Sequence, residues 1–260
     1  MILEDALAVE EPLQIRLGEP VHKSLAITMR TPGQERELAL GFLWTEGLIQ
    51  SLDQVERVEA CGPDSRGIRN TVRVDFREGF EVDLPRLERN FYTTSSCGVC
   101  GKTAIEALRV KSPVNSLGGQ RVTPTILYAL PHRLRSEQKV FESTGGLHAS
   151  ALFDLEGSFL RACEDVGRHN ALDKLIGQSL LEKEVLPMSK RILLLSGRAS
   201  FELLQKASMV GLPLVAAIGA PSSLAVELAQ EKGITLVGFL KKDRFNIYSH
   251  PERISYEITH

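Results

Sequence analysis

The sequence lacks long hydrophobic runs and a basic N-terminus. Its apolar stretches, such as residues 212–220, are much shorter than the ~18 residues that cross a bilayer. Four acidic residues precede the first basic residue, Arg16, whereas a secretory signal begins with basic residues followed by an apolar stretch. We therefore expect a cytoplasmic protein that does not contact the membrane.

The sequence also lacks an excess of charge of either sign. Its 31 basic and 33 acidic residues give a formal net charge of −2. This balance provides no general attraction to nucleic acid or acidic lipid, so an anionic ligand needs a local cluster of basic residues. With 260 residues, of which 43% are hydrophobic and 25% charged, the chain is typical of a soluble globular protein of one or two domains.

Cysteine is scarce, and the 4 examples are Cys61, Cys97, Cys100 and Cys163. Without an export signal they are not expected to form a disulfide framework. Cys61 and Cys163 stand alone, and we expect both to be buried as small hydrophobic residues. The close pair formed by Cys97 and Cys100 instead indicates metal binding, redox chemistry or thiol chemistry.

The first part of the chain alternates strand and helix patterns. Strands are predicted over residues 21–29 and 69–76, and a helix over residues 35–49. A linker containing proline and glycine then follows the predicted helix of the cysteine loop. We therefore predict a smaller N-terminal α+β domain, residues 1–112, and a second domain, residues 113–260.

Near-continuous apolar strands alternate with helices in the second half of the chain. This pattern is typical of an α/β sheet that helices cover on both faces. Strands are predicted over residues 149–153, 159–163, 192–195, 214–218 and 234–240, and helices over residues 125–133, 170–181, 201–210 and 224–231.

The segment from Cys97 to Cys100 has the composition of a reactive loop. Gly98 within it and Gly101 directly after it allow backbone angles that other residues resist, so both sulfur atoms can lie on one side. Lys102 and the start of a helix, predicted from the capping pattern at Thr103, would lower the pKa of a nearby thiol. The loop therefore fits a thiolate nucleophile that attacks, holds and releases sulfur.

Other kinds of site also use two closely spaced cysteines. A structural zinc site needs a second pair of ligands, and Cys61 and Cys163 are single. A thioredoxin-like redox pair belongs to a small βαβ domain, which this chain does not resemble. A phosphate-binding P-loop fails because Ser96 stands where the motif needs glycine. The zinc and redox interpretations stay open at this point.

Five segments occur in the order found in the formate dehydrogenase accessory sulfurtransferase family, FdhD, and together they resemble its signature. Several separate motifs in one order are more specific than any single motif. The segments are residues 96–101 (SCGVCG), 164–171 (EDVGRHNA) with Asp173 and Lys174, 196–198 (SGR), 219–225 (GAPSSLA), and 238–244 (GFLKKDR) with 248–251 (YSHP).

The resemblance implies a function in sulfur transfer. Cys97 would carry a persulfide received from a cysteine desulfurase, and Cys100 would be its partner in relay or resolution. The acceptor would be the molybdenum cofactor in its bis(molybdopterin guanine dinucleotide) form, which formate dehydrogenase requires. The resemblance further implies that the second domain has the three-layer α/β/α fold of cytidine deaminases, and it leaves open whether the chain forms a homodimer.

The resemblance also implies which residues bind the cofactor and its guanine nucleotide. Arg168 and His169 would do so at the start of a helix, where anions gather. For His169 the alternative is ordinary capping or packing at the helix start, and for the segment 239–244 it is a solvated basic turn. The other residues implied in binding form one segment after an apolar strand, namely Phe239, Leu240, Lys241, Lys242, Asp243 and Arg244.

Two rival functions remain beside sulfur transfer. One is a non-catalytic chaperone that binds the cofactor and hands it over. The other is a zinc-binding protein with the deaminase fold. A working zinc deaminase needs His-x-Glu and Pro-Cys-x-x-Cys. The segment around His148 lacks the glutamate, and Ser96 precedes Cys97 in place of proline. We expect no tightly held structural metal and no nucleic-acid partner.

Overall fold

The computed structural model describes residues 5–19, 21–63, 69–80 and 121–256, and within these ranges it forms a mixed α/β structure with two sheets. Cys97, Cys100 and the predicted domain boundary after residue 112 lie outside the described residues. The predictions for the cysteine loop and for two domains therefore stay predictions. None of the helices in the described ranges combines the length and apolar character that a membrane span needs.

The first sheet has four strands in the order β2-β1-β4-β3. Only β1 and β4 are parallel, and the other pairs are antiparallel. The sheet buries Leu13 and Ile15 of β1 together with Val72 and Val74 of β4, because alternate residues of a strand face one side. Its strands are β1 (Glu11–Leu17), β2 (Lys23–Arg30), β3 (Val55–Pro63) and β4 (Arg69–Phe76).

The second sheet has six strands in the order β10-β9-β8-β7-β5-β6. β7, β8 and β9 are parallel, so their carboxyl ends meet at one edge. β5 runs antiparallel to both β6 and β7, which brings its first residue and the last residue of β6 to the same edge. The strands are β5 (His148–Phe153), β6 (Phe159–Asp165), β7 (Ile192–Leu195), β8 (Leu214–Ala217), β9 (Thr235–Gly238) and β10 (Asn246–Ser249).

Helices cover both faces of the second sheet, as the apolar strand pattern predicted. α4, α5 and α6 contribute to the core on one face, and α2 contributes Leu127, Leu130 and Leu134 to a separate core on the other. The helices of the described residues are α1 (Glu35–Thr45), α2 (Pro124–Arg135), α3 (Lys139–Thr144), α4 (Arg168–Leu181), α5 (Phe201–Met209) and α6 (Ser223–Lys232).

α1 and α4 cross at very short range and join the two sheets through one core. A Cβ atom at Gly41 of α1 would lie 1.8 Å from the carbonyl oxygen of Asp173, and one at Gly177 of α4 would lie 1.9 Å from that of Glu37. Only glycine permits this approach of the two backbones. The apolar core around the crossing includes side chains from both sheets, and α1 packs on β3 and β4 as well as on α4.

The structure differs from the predictions in a few elements. The first helix ends at Thr45, before Gly47, which has a φ of 70° that glycine adopts readily. β1, β3 and β10 were not anticipated. Cys163 is buried with 2% of its surface exposed, as expected, but Cys61 in β3 is only partly buried, so the expectation for Cys61 is wrong.

Candidate functional site

The loops that follow β7, β8 and β9 form one continuous edge, the usual place for ligands of open α/β sheets. The backbone N–H of Gly219 donates to the carbonyl oxygen of Gly197 at 2.9 Å, and that of Phe239 donates to the carbonyl oxygen of Gly219 at 3.0 Å. On the other side, the N–H of Ala149 in β5 donates to Oγ of Ser196 at 2.7 Å. We call this surface the carboxyl edge, comprising residues 148, 166–169, 196–198, 218–221 and 239–244.

Close backbone packing leaves no space for side chains between these loops. A Cβ atom at Gly219 would lie 2.9 Å from the carbonyl oxygen of Gly197, and one at Gly238 would lie 2.8 Å from Cδ of Pro221. Contacts this short are not found for real Cβ atoms. The loops are therefore fixed against each other, and a ligand at this edge would approach backbone as well as side chains.

Four basic side chains from three separate segments gather at the carboxyl edge. His148 is the first residue of β5, Arg168 and His169 are the first residues of α4, and Arg198 follows β7. Burial lowers the pKa of His148, and the positive charges of Arg168, Arg198 and His169 lower it further. We call these four residues the basic cluster. Their mutual influence shows that they share one electrostatic environment.

The basic cluster is poorly neutralised by the protein. The Nε atom of Arg168 and the Nε2 atom of His169 are buried without a hydrogen-bond partner among the described residues. Nε2 of His169 lies 3.9 Å from Oε2 of Glu202, a long ion-pair contact, and His169 is the main cause of the lowering of the pKa of Glu202 to about 2. In the described part of the chain neither Arg168 nor Arg198 forms an ion pair with a carboxylate. Unpaired cations of this kind are typical of a site for an anion.

A buried polar network fixes the turn that presents Arg168 and His169. Nζ of Lys174 lies 2.7 Å from Oδ2 of Asp165, and the side chains of both residues are at most 2% exposed. Lys174 also donates to the carbonyl oxygen of Thr31 at 2.8 Å, and the N–H of Thr31 donates to Asp165 at 3.1 Å. Oδ1 of Asp165 accepts hydrogen bonds from the N–H of Gly167 and from Nδ2 of Asn170. The start of α4 is thus tied to the connection between β2 and α1.

The predicted binding segment forms the connection between β9 and β10. Phe239 has a φ of 52° and is 44% exposed, so its ring is available to a ligand. Leu240 is 1% exposed and packs in the core, which leaves only its backbone for contact. The N–H of Lys241 donates to the carbonyl oxygen of Arg244 and closes a turn, whose charged side chains at positions 241–244 are exposed.

The structure brings together only part of the predicted site. Arg168 and His169 share the basic cluster, and Phe239 lies two strands farther along the same edge. From the sequence, His148 was considered only as a deaminase ligand, whereas Arg198 belongs to the motif 196–198, which ends a predicted strand and precedes a helix and was therefore a candidate second rim of the ligand site. Both could have been added, since each lies at the end of a predicted strand on the carboxyl edge. Within the described ranges, no three histidine, cysteine or carboxylate side chains are placed to hold a metal ion.

Comparisons with known proteins give a consistent result. The sequence model of the FdhD/NarQ family matches residues 8–255. A protein of Mycolicibacterium paratuberculosis named sulfur carrier protein FdhD is 51% identical over 254 residues, which cover 96% of this chain and 92% of the relative. A protein of Picrophilus torridus with the same name is 47% identical over 253 residues, covering 97% of this chain and 93% of the relative.

A solved structure has the same fold. It is a protein of Desulfotalea psychrophila that has been provisionally assigned as a formate dehydrogenase accessory protein. The two structures superpose with a TM-score of 0.74 and 23% sequence identity, over 97% of this chain and 92% of the other.

Proposed function

Because the chain belongs to the FdhD/NarQ family, we propose that it is a sulfur carrier that acts in the cytoplasm as a sulfurtransferase. It accepts persulfide sulfur from a cysteine desulfurase on Cys97 and passes it to the molybdenum cofactor in its bis(molybdopterin guanine dinucleotide) form. Formate dehydrogenase then receives the sulfurated cofactor. The names of the relatives at 51% and 47% identity support the sulfur-carrier role, and the name of the structural neighbour supports the role beside formate dehydrogenase.

The basic cluster is the observation that carries the identity of the acceptor. A pterin guanine dinucleotide presents pyrophosphate groups, which need fixed cationic donors. Arg168 and Arg198 offer such donors, and no carboxylate of the described residues pairs with either of them. Lys241, Lys242 and Arg244 add exposed positive charge on the same edge, and the exposed ring of Phe239 can stack on a base or pterin.

The sulfur step needs a reactive thiolate on Cys97. The thiolate attacks the outer sulfur of the desulfurase persulfide, a new S–S bond forms, and the old S–S bond breaks as the desulfurase thiolate leaves. Cys97 then holds the outer sulfur with its proton as a persulfide. Cys100 then resolves the persulfide: its thiolate attacks the inner sulfur on Cys97, a Cys97–Cys100 disulfide forms, and the outer sulfur leaves as sulfide, which the bound acceptor takes up. Lys102 and the predicted helix start favour the thiolate form of this pair.

The described cysteines are poor candidates for the same role. Burial raises the pKa of the Cys163 thiol to about 11, so it is protonated at neutral pH. Its sulfur also lies in the core, within hydrogen-bonding reach of Gln34 and Gln178. Cys61 is partly buried in the edge strand β3, on the other sheet from the basic cluster. Cys61 therefore offers a matched control for substitution of a cysteine outside the loop.

The mass of the intact protein tests the carrier role. After incubation with a cysteine desulfurase and cysteine, the wild type should gain the mass of one sulfur atom and lose it on reduction. Cys97→Ser should gain nothing, whereas Cys61→Ser should behave like the wild type. A persulfide that still forms on Cys97→Ser would overturn the role proposed for Cys97. Cys100→Ser should still gain the mass of one sulfur atom, because Cys97 forms the persulfide and Cys100 acts only in its release.

A chaperone that only holds the cofactor would use the basic cluster equally well. The two functions separate when both Cys97 and Cys100 are replaced by serine in a strain that lacks the natural protein. A carrier loses its ability to restore formate dehydrogenase activity, whereas a chaperone keeps it. Zinc analysis of the purified protein covers the remaining alternative, since about one zinc per chain that depends on Cys97 would favour a metal site over a persulfide.

We also propose that the second half of the chain is related in fold to the cytidine deaminases. The arrangement of helices on both faces of the second sheet supports it. Deaminase chemistry is not part of the proposal, because the residue two places after His148 is Ser150 where such enzymes need glutamate.

A further inference from the structure

His148 is the member of the basic cluster with the least obvious structural role. It begins β5 and pairs across the sheet with Asp165 of β6. No hydrogen bond joins its ring to another of the described residues. Its Nδ1 lies only 3.2 Å from the position that a Cβ of Gly197 would take, so the glycine backbone packs directly against the ring. One side of the imidazole thus packs on the Gly197 backbone, and neither ring nitrogen has a hydrogen-bond partner among the described residues.

The charges around His148 are almost all positive. Arg168 and His169 face it from α4, and Arg198 faces it from the loop after β7. The nearest acidic partner along the sheet is Asp165, but its oxygen atoms are already bound by Lys174 and by neighbouring N–H groups. Burial and the surrounding cations lower the pKa of His148, so the ring is neutral at neutral pH in the free protein.

An anion in this position would reverse that balance. A phosphate group that pairs with Arg168 and Arg198 cancels their repulsion of the imidazole and adds a direct attraction for its charged form. The pKa of His148 must then rise when the anion binds, and by linkage the anion binds more tightly when the ring is protonated. Phosphate fits because it offers several acceptor oxygens to two guanidinium groups and a ring N–H.

We propose that His148, Arg168 and Arg198 form a proton-linked phosphate subsite, in which a pyrophosphate group of the guest is bound together with one proton taken up by His148. This inference rests on the proposed function for the identity of the guest, a guanine dinucleotide. It assigns His148 and Arg198 to the binding of that guest and makes capture and release sensitive to pH.

The sign of the pH effect follows from the two states of His148. At low pH the ring is charged with and without the ligand, and affinity is highest and constant. At high pH the ring is neutral in both states, and affinity is lowest and constant. Between the pKa of His148 in the free protein and its pKa in the complex, the affinity for the ligand falls as pH rises. The fall is at most about tenfold per pH unit for one linked proton.

Binding of diguanosine pyrophosphate to the full chain tests the inference. Each phosphate of this dinucleotide is a diester with one permanent charge, so the probe does not titrate near neutral pH. Calorimetry in two buffers of different ionisation enthalpy should show net proton uptake by the wild type on binding. The affinity should also fall as pH rises over the range from about 5.5 to 8, where histidine titrates.

Two variants and a control locate the linked proton. His148→Gln should bind the dinucleotide with an affinity that no longer depends on pH. Calorimetry should then show no proton uptake when this variant binds. Arg198→Gln should weaken binding at every pH. Lys183→Gln, which removes an exposed positive charge beyond the end of α4, should match the wild type. Thermal unfolding of each variant shows whether it is folded.

Each contrary result has a distinct meaning. Binding without proton uptake in the wild type, or a pH dependence that survives in folded His148→Gln, would overturn the proton-linked subsite and leave the sulfur-carrier proposal intact. Absence of binding altogether, together with normal persulfide formation on Cys97, would overturn both the subsite and the proposed acceptor. A failure of persulfide formation with normal pH-linked binding would count against the carrier role alone.

Discussion

Two polar regions lie side by side at the start of α4, and they differ in how well their charges are satisfied. In the first, Asp165 and Lys174 are almost fully buried, and their polar atoms are matched by each other, by Thr31 and by Asn170. In the second, the basic cluster, two buried nitrogen atoms have no hydrogen-bond partner in the described part of the chain. The contrast separates residues that hold the fold from residues that we propose bind a ligand.

The two regions come from one short stretch of sequence. Residues 165–174 contain both the satisfied pair and Arg168, which has no carboxylate partner among the described residues. A turn that is rigid on its inner side can hold cations at fixed positions on its outer side without a carboxylate to neutralise them. The network beneath offsets the cost of holding these basic side chains close together, so the proposed site would be organised before its ligand binds.

Removal of Lys174 should have the largest effect on stability. Lys174→Met leaves the charge of Asp165 buried without its partner, which typically costs about 3–5 kcal/mol in the free energy of unfolding. Urea denaturation measures the change. Lys232→Met, which removes a partly exposed lysine beside Glu231, should change stability far less. Equal stability of Lys174→Met and the wild type would contradict the structural role of the network.

Substitution at the α1–α4 crossing should come next. A Cβ atom at Gly177 would overlap the backbone of Glu37, so Gly177→Ala must push the helices apart, and we expect a loss of about 1–3 kcal/mol. Gly146→Ala is the matched control, because its Cβ would lie 3.4 Å from that of Ala8, an ordinary contact. Thermal unfolding compares the two variants. A tolerated Gly177→Ala would show that α1 and α4 cross less tightly than described.

A variant of the basic cluster tests the opposite expectation, a large effect on binding with little effect on stability. Arg168→Gln should reduce the affinity for a guanine dinucleotide by about 10- to 100-fold, because a charged hydrogen bond to phosphate is lost. Its unfolding free energy should change by no more than about 0.5 kcal/mol, or rise, since an unpaired cation is removed. Calorimetric titration and urea denaturation of the same sample measure both quantities. Strong destabilisation with unchanged affinity would place Arg168 with the structural residues.

The smallest effect is expected at the exposed turn between β9 and β10. Lys241→Gln or Lys242→Gln should each weaken dinucleotide binding by less than about fivefold, because exposed charges contribute about 1 kcal/mol or less. The difference from the wild type should shrink as salt is added. Titration at low and high ionic strength measures it. A loss as large as that of Arg168→Gln would move the centre of the site to this turn.

Much of the fold followed from local patterns in the sequence. β4 and β7 have the predicted bounds, and the α/β character of the second half follows from its apolar strands. The unanticipated β3 and β10 are edge strands with partly exposed side chains, so their hydrophobic signal is weak. Edge strands gain their place from backbone pairing, which leaves little trace in composition.

The site was less accessible to sequence reasoning than the fold. The position of Asp165, Arg168 and His169 at the end of a strand and the start of a helix could be predicted. Their different roles could not, because Asp165 is matched by Thr31, 134 residues away in the sequence. Arg198 reaches the same surface from another strand. Such long-range pairing decides which charges are satisfied, and no local pattern reveals it.

The most direct test of the account follows sulfur from Cys97 to a guest held by the basic cluster. Protein that carries the persulfide is purified from the desulfurase and from reductant. It is then mixed with the guanine dinucleotide form of the molybdenum cofactor, and its mass is measured by intact-protein mass spectrometry. The wild type should lose the mass of one sulfur atom on mixing, and Arg168→Gln should keep it. Equal loss from both proteins, or retention by both, would contradict delivery through this cluster.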